Sequence, residues 1–454
     1  MKKMWIEMNV ATIIMAFNRF VKAISKFGGD ILEITLRYGR EGLPVTLPDG
    51  VDVVTTHFVP GLPDKTIAIR EALRQPIGSA PLADLVKPGD TVVIAHSDIT
   101  RATPNARLLP VLLAELEAAG VAREDITLLN ALGTHRPQTE AELRAMLGDV
   151  VVERYRCFQH DGNDDSGLVA LGRTSFGHPV RVNRYFMEAD VRILTGLIEP
   201  HFFAGFSGGP KGVLPALAGA ESVVTNHGRA MIAHPKATWG YTEGNPIWEE
   251  MREVALMTHP TFLLNVTINA AGQMTGIFAG EMLAAHAAGC AFVREHAMVA
   301  VDAPYDVVVT TNGGYPLDQN LYQTVKGISA ANEIVREGGA IVVAAACEDG
   351  IPDHGRYAAL LAEGGSPQGV LDMLARPGFI APDQWQVQVQ AQIQQRTEVY
   401  VYSDGLTEAQ IRAALFLPCR NVGKTVAALQ KKYGPQARIC VMPEGPYCNA
   451  YVKT

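Results

Sequence analysis

The chain has 454 residues, of which 48% are hydrophobic and 19% charged, with a net charge of −8. That apolar content is enough for two cores, and the acidic balance leaves no basic surplus to neutralise a phosphate backbone, which argues against nucleic acid as a partner. The six cysteines (Cys157, Cys290, Cys347, Cys419, Cys440, Cys448) form no CxxC pair and show no zinc-ligand spacing, so buried thiols in a reducing cytoplasm are expected rather than disulfides or a zinc finger.

At the start of the chain, Lys2 and Lys3 precede the charge-free run Met8–Asn18, which is shorter than the ~20 apolar residues a membrane span needs. Arg19, Lys22 and Lys26 follow with no small-residue cleavage site. Residues 1–30 are therefore expected to be an amphipathic helical extension without membrane contact, or to follow from a start codon set upstream of Met8 or Met15. The domains proper are expected to begin at Ile31.

From there, short β-branched runs alternate with longer helix-compatible stretches. VDVVTTHF (51–58), TVVIAHS (91–97), DITLLNAL (125–132) and VRILTGLI (191–198) come first. VVVTTNGG (307–314), AIVVAAACEDG (340–350), VYVYSDG (399–405) and ARICVMPEG (437–445) follow. Apolar strands separated by helical segments indicate an α/β fold. Two domains are expected, 31–300 and 301–454, each built on a largely parallel sheet with flanking helices, with the active site in the cleft between them. The polar stretch His160–Gly167 reads as a surface hairpin or loop.

In such sheets ligands sit beyond the carboxyl ends of the strands, and the residues found there carry chemistry. TVVIAHS leads to Asp98-Ile-Thr100-Arg101, DITLLNAL to Gly133-Thr-His135-Arg136, and VRILTGLI to Glu199-Pro-His201. VVVTTNGG leads to a segment in which Gln323 and Lys326 share one helix face at i,i+3 spacing. After His201 comes the turn GFSGGPKG, where Gly205, Gly208 and Gly209 allow backbone N–H groups to approach an anion closely and Lys211 supplies a positive charge or an amine nucleophile. The turn lacks the G-K-[ST] ending of a nucleotide-binding P-loop, so a kinase is disfavoured. Asp98 either orients Arg101 or caps the turn that follows it. His96, His160, His178, His234, His259, His286, His296 and His354 are read as surface or structural, with His354 set apart because its loop could face the cleft.

DITRATP, LGTHRPQT, IEPHFFAGFSGGPKGVLPALAG, TNHGR and DQNLYQTVKG, in that order, together resemble the nickel-dependent lactate racemase family, racemases and epimerases of 2-hydroxy acids that use a nickel-pincer nucleotide cofactor. The resemblance runs from about Ile31 onward, and CEDGIPDHG (347–355) also looks like the family's second-domain loop. It implies that Lys211 tethers the cofactor through a thioamide and that His227, in TNHGR, ligates Ni(II) beside two cofactor sulfurs and a pyridinium carbon. It further implies that His135 and His201 are the acid–base pair, that Arg101 clamps the substrate carboxylate, and that Lys326 and Gln323 lie near the substrate oxygen. Asp98, Thr100, Ser207, Gly208 and Gly209 fall among the residues expected around the cofactor. Enzymes that build the cofactor would be needed for maturation, and a small 2-hydroxy acid would be the substrate.

The chemistry is coherent on the residues themselves. Interconverting the enantiomers of a 2-hydroxy acid requires removal of the hydroxyl proton and the Cα hydride, then return of hydride to the opposite face of the ketoacid. Two histidines can serve the two enantiomers, because imidazole titrates near neutral pH and works as acid or base. Arginine offers a planar fork for the carboxylate. Pro210 and Ala216 stand where the family pattern suggests an arginine-like residue and a glycine, which points to a subgroup with a substrate other than lactate. A non-catalytic carrier of the nickel cofactor is the alternative, but a carrier needs His227 and Lys211 and has no use for His135 and His201.

Overall fold

The computed structural model describes residues 21–24, 31–269, 271–352 and 355–453. Most of the expected N-terminal extension lies outside them, as does His354. The one described part of that extension, Val21–Ile24, is not helical but a strand antiparallel to Ile31–Leu36. Among the described residues no helix is long and apolar enough to cross a membrane.

The chain packs as two units, each with a mixed α/β architecture. The first comprises His57–His296. Its sheet has six strands in the order Met274–Gly280, Phe262–Ile268, Val191–Leu197, Val92–Ser97, Ile126–Ala131, Arg156–Gln159. All neighbours are parallel except the pair Phe262–Ile268 and Met274–Gly280. Val92, Ile94, Ile126, Leu128 and Ile193 from the strands pack with Ile69, Leu73, Leu108, Leu112 and Leu116 from the helices Lys65–Arg74 and Asn105–Ala118. Helices cover both faces of a parallel sheet, so its strands are apolar on both sides; Val92–Ser97 is buried at five of its six positions. His160–Gly167 forms no hairpin: it is a loop that ends in the turn Asp165–Gly167, with His160 itself buried, and it precedes an antiparallel hairpin of Leu168–Arg173 and Pro179–Asn183.

The second unit joins the segment ending at Thr56 to Ala297–Thr454. Its main sheet has six strands, all parallel, in the order Leu417–Pro418, Glu398–Tyr402, Val335–Ala344, Tyr305–Thr311, Ile439–Val441, Asp52–Val53. Residues 31–56 thus pack with the C-terminal unit, which differs from the expected division at 31–300. The run VDVVTTHF contributes only Asp52–Val53 as strand, and that piece pairs with Cys440 and Val441. The reason is burial. Ile34, Leu36, Tyr38 and Leu47, on or beside the antiparallel strands Ile31–Leu36 and Leu43–Leu47, complete a core with Val307, Val309, Val342, Val426 and Leu429, whereas Asp52 and Val53 are themselves exposed.

All six cysteines carry free thiols. Burial pushes the thiols of Cys290 and Cys448 up to about 12, so both remain protonated and behave as small apolar side chains.

Candidate active site

Three adjacent parallel strands, Val191–Leu197, Val92–Ser97 and Ile126–Ala131, end side by side, with Ser97 in register with Ala131. Their exits carry Glu199 and His201, Asp98 and Arg101, and His135 respectively. Adjacent parallel strands deliver their carboxyl ends to the same edge, so residues far apart in sequence meet there. Asp98 Oδ2 lies 2.6 Å from His135 Nδ1, across 37 residues of chain. Thr100 Oγ1 donates to Asp98 Oδ1 at 2.8 Å, and the Arg101 N–H donates to the Asp98 carbonyl at 3.2 Å. The Asp98 carboxylate thus pairs with His135 and Thr100, and the Arg101 guanidinium faces Glu199. Arg101 Nη1 stands 3.9 Å from Glu199 Oε1.

Burial raises the Asp98 carboxyl, but the hydrogen bond and charge of His135, then Arg101 and Thr100, outweigh it and hold the group below the usual carboxylate range. An ionised Asp98 accepts the Nδ1 proton of His135 and leaves Nε2 as the nitrogen with a lone pair. His201 is arranged the other way. The N–H groups of Phe203 and Ala204 approach its Nδ1 at 3.5 and 3.3 Å, so Nδ1 accepts and the neutral ring carries its proton on Nε2. The two histidines present complementary tautomers, one lone pair and one N–H.

His201 sits in a two-residue antiparallel ladder, Pro200–His201 with Gly205–Phe206. The aromatic residue Phe203, which sequence reasoning passed over, links the buried groups. Its ring centroid is 4.5 Å from that of His201 and 4.9 Å from that of His227, both edge-on, and Lys211 Nζ stands 6.0 Å from its face. His227 caps the carboxyl end of the helix Ala220–Asn226 and donates its N–H to Val223 O. Burial, and then the charge of Lys211, hold the His227 imidazole down to about 3. The ring is neutral at working pH, as a metal ligand must be. Among the described residues no group of three or more His, Cys, Asp or Glu side chains could hold a metal by itself.

In the glycine turn several backbone N–H groups, that of Gly209 among them, already have partners within the protein. The Ser207 N–H donates to Glu199 O, the Gly209 N–H to Asn265 Oδ1 at 2.8 Å, and the Lys211 N–H to Gly208 O. Ser207 Oγ donates to Leu197 O and accepts from the Glu199 N–H. These three N–H groups thus bond within the protein. Glycine is required for space and backbone: Gly208 and Gly209 have φ of 74° and 51°, and a Cβ at either would come 2.5 Å from Asn265 Oδ1 or the His286 ring.

Gln323 and Lys326 lie in the second unit, on the helix Leu321–Asn332, where the expected i,i+3 face exists. Asn320 caps that helix by accepting the Gln323 N–H at 3.1 Å. Gln323 Oε1 is buried with no hydrogen-bond partner among the described residues.

Comparison with known proteins adds to this geometry. The family model of the lactate racemase N-terminal domain matches residues 38–240, and that of the lactate racemase C-terminal domain matches 300–447. A lactate racemase of Thermoanaerobacterium thermosaccharolyticum is 34% identical over 91% of this chain and 97% of its own length. One from Lactiplantibacillus plantarum is 37% identical over 83% of this chain and 89% of its own. The solved lactate racemase apoprotein from T. thermosaccharolyticum superposes with a TM-score of 0.86 at 33% identity, covering 93% of this chain and all of that one. A Thermotoga maritima protein shares the fold at 19% identity, with a TM-score of 0.66 over 87% of this chain and all of its own. This chain belongs to the lactate racemase family, a family of isomerases.

Proposed function

We propose that the protein interconverts the enantiomers of a small 2-hydroxy acid, lactate or a close relative, in the cytoplasm, with a nickel-pincer nucleotide as cofactor. The observation that carries this reading is the Asp98–His135 pair at 2.6 Å, at the same sheet edge as Arg101 and His201. A carrier would have no use for an oriented base.

The residues suit the cofactor. Lys211, a buried residue with a relative exposure of 9%, would tether it, and the neutral His227 ring would ligate its nickel. A lone imidazole cannot hold a metal tightly, so the remaining donors would come from the cofactor itself. When bound, this group supplies the acceptor that takes the Cα hydride and returns it to either face of the 2-ketoacid.

The chain's own residues do the rest. His135 Nε2 takes the hydroxyl proton of one enantiomer, and Asp98 stabilises the resulting imidazolium through Nδ1. His201 is assigned to the other enantiomer, where it acts as base in the tautomer that carries its proton on Nδ1; in the tautomer that the Phe203 and Ala204 N–H groups favour, its Nε2–H hydrogen-bonds the substrate oxygen. Arg101 grips the carboxylate through two parallel N–H bonds, which anchors the substrate while its carbonyl turns over. Lys326 and Gln323 are assigned to the developing carbonyl oxygen, where a cation and an amide stabilise negative charge. Pro210 and Ala216 remain the reason to look beyond lactate.

The test is expression with and without the cofactor-building enzymes, followed by intact mass, nickel content and a screen of chiral 2-hydroxy acids. Only the loaded protein should racemise a substrate, with one nickel and a mass increment at Lys211. Racemisation by protein free of both overturns the reading.

A further inference from the structure

One face of the helix Met282–Ala297 lies against the Leu197–Gly212 segment that carries the candidate site. His286, Cys290 and Arg294 follow at i, i+4 and i+8. His286 Nε2 donates to Ser207 O at 3.0 Å, and Arg294 stands 5.0 Å from the Phe206 ring while donating to Gly240 O at 2.9 Å. Gly289 falls on the same side, where a Cβ would collide with Ile198.

His286 is the most constrained of these. It is 1% exposed and stacks nearly parallel to the Trp248 indole, with centroids 6.3 Å apart. Its ring occupies the space a Cβ on Gly209 would fill, at 2.5 Å. On the other side of the turn, Asn265, equally buried, accepts the Gly209 N–H and fills the space beside Gly208. Histidine and asparagine therefore hold the turn by hydrogen bonds at Ser207 O and Gly209 N, four and two residues from Lys211. Nothing in the reaction chemistry needs a second histidine there. A leucine there would remove the donor that His286 supplies to the buried Ser207 carbonyl.

We propose that His286 is a positioning residue: through its hydrogen bond to the Ser207 carbonyl and its packing under Gly209, with Asn265 opposite, it fixes the backbone that aims the Lys211 amine. The inference rests on the assignment of Lys211 as the cofactor's attachment point.

The test compares full-length wild type, His286→Gln, His286→Leu and His286→Phe. Glutamine's Nε2 reaches the position of the histidine Nε2 and keeps the donor; leucine and phenylalanine remove it, and phenylalanine retains a ring for the case in which leucine fails to fold. Hydrogen exchange of the 205–214 backbone in apoprotein is read first, and Lys211 mass increment after exposure to the cofactor-building system second. Leucine or phenylalanine should speed exchange of this segment at least tenfold and cut the increment at least tenfold. Glutamine should restore both to within about threefold of wild type. Unchanged exchange and uptake in a folded variant without the donor overturns the proposal, as does failure of glutamine to rescue either reading. If wild type acquires no mass at Lys211, the tether assignment fails separately, and exchange in the apoprotein still decides the positioning role.

Discussion

Phe203 makes one edge-type aromatic contact with each of two buried histidines of the proposed site, with ring centroids 4.5 Å from His201 and 4.9 Å from His227. The proton-transfer and metal-binding parts of the proposed site are thus separated by a single buried ring, while the second proton-transfer histidine, His135, is held independently by Asp98.

That independence makes Asp98 separable. Asp98→Asn keeps the shape but removes the charge that stabilises a protonated His135, and its amide can select the wrong tautomer. Racemisation should fall about 10²–10⁴-fold, the range for a proton-transfer group, with nickel content unchanged. Stability gives a second reading. The Asp98 carboxyl is lower in the folded protein than in the unfolded chain, so its contribution is fully present above the ordinary carboxylate value of about 4 and is lost as pH falls through the lower folded value. The difference in Tm between wild type and Asp98→Asn should shrink below pH 4.

Arg101→Lys keeps a positive charge but loses the planar fork. The loss in kcat/KM should be on the order of 2–3 kcal/mol, the upper end for hydrogen bonds to charged groups. Steady-state kinetics in both directions of the reaction check it, and unchanged constants would remove Arg101 from the carboxylate site.

Lys211→Ala and His227→Ala should fail differently. The first removes the covalent mass increment while some cofactor remains loosely held; the second weakens nickel retention. Intact mass and metal analysis after dialysis distinguish them. Full nickel occupancy and activity in His227→Ala would place the metal ligand elsewhere.

Two buried histidines outside the proton-transfer pair should shape acid stability. Burial holds His96 and His286 down to about 4, against a partial upward pull from Asp98 on His96 and a further downward push from Arg294 on His286. Between the unfolded value of about 6.5 and the folded value of about 4, the unfolded chain binds protons that the folded chain does not, so stability decreases as pH falls through that window. Each histidine costs about 2–3 kcal/mol by pH 4.5, because protonation favours the unfolded chain by ~1.4 kcal/mol for every tenfold rise in proton concentration across the window. Urea unfolding of apoprotein at pH 7.5, 5.5 and 4.5 should show this slope, and His96→Gln should flatten it by roughly a quarter to a third, because the buried His227 and His160 act in the same direction as His286.

The sequence by itself determined the α/β class, because apolar β-branched runs such as TVVIAHS and VRILTGLI show the burial on both faces that a parallel sheet imposes. It also determined which residues stand just past the strands, including Asp98, His135 and His201, and the helix face shared by Gln323 and Lys326. Strand order belonged to the tertiary structure. The pairing of Asp52–Val53 with Ile439–Val441, and so the place of residues 31–56, depends on which core those residues complete. No local pattern encodes that choice. The same holds for Asp98 with His135, for Phe203 between two histidines, and for Asn265 and His286 on either side of the glycine turn. Hydrophobic periodicity reports which way a side chain points relative to its own element, whereas its neighbours are set by elements that arrive from elsewhere in the chain.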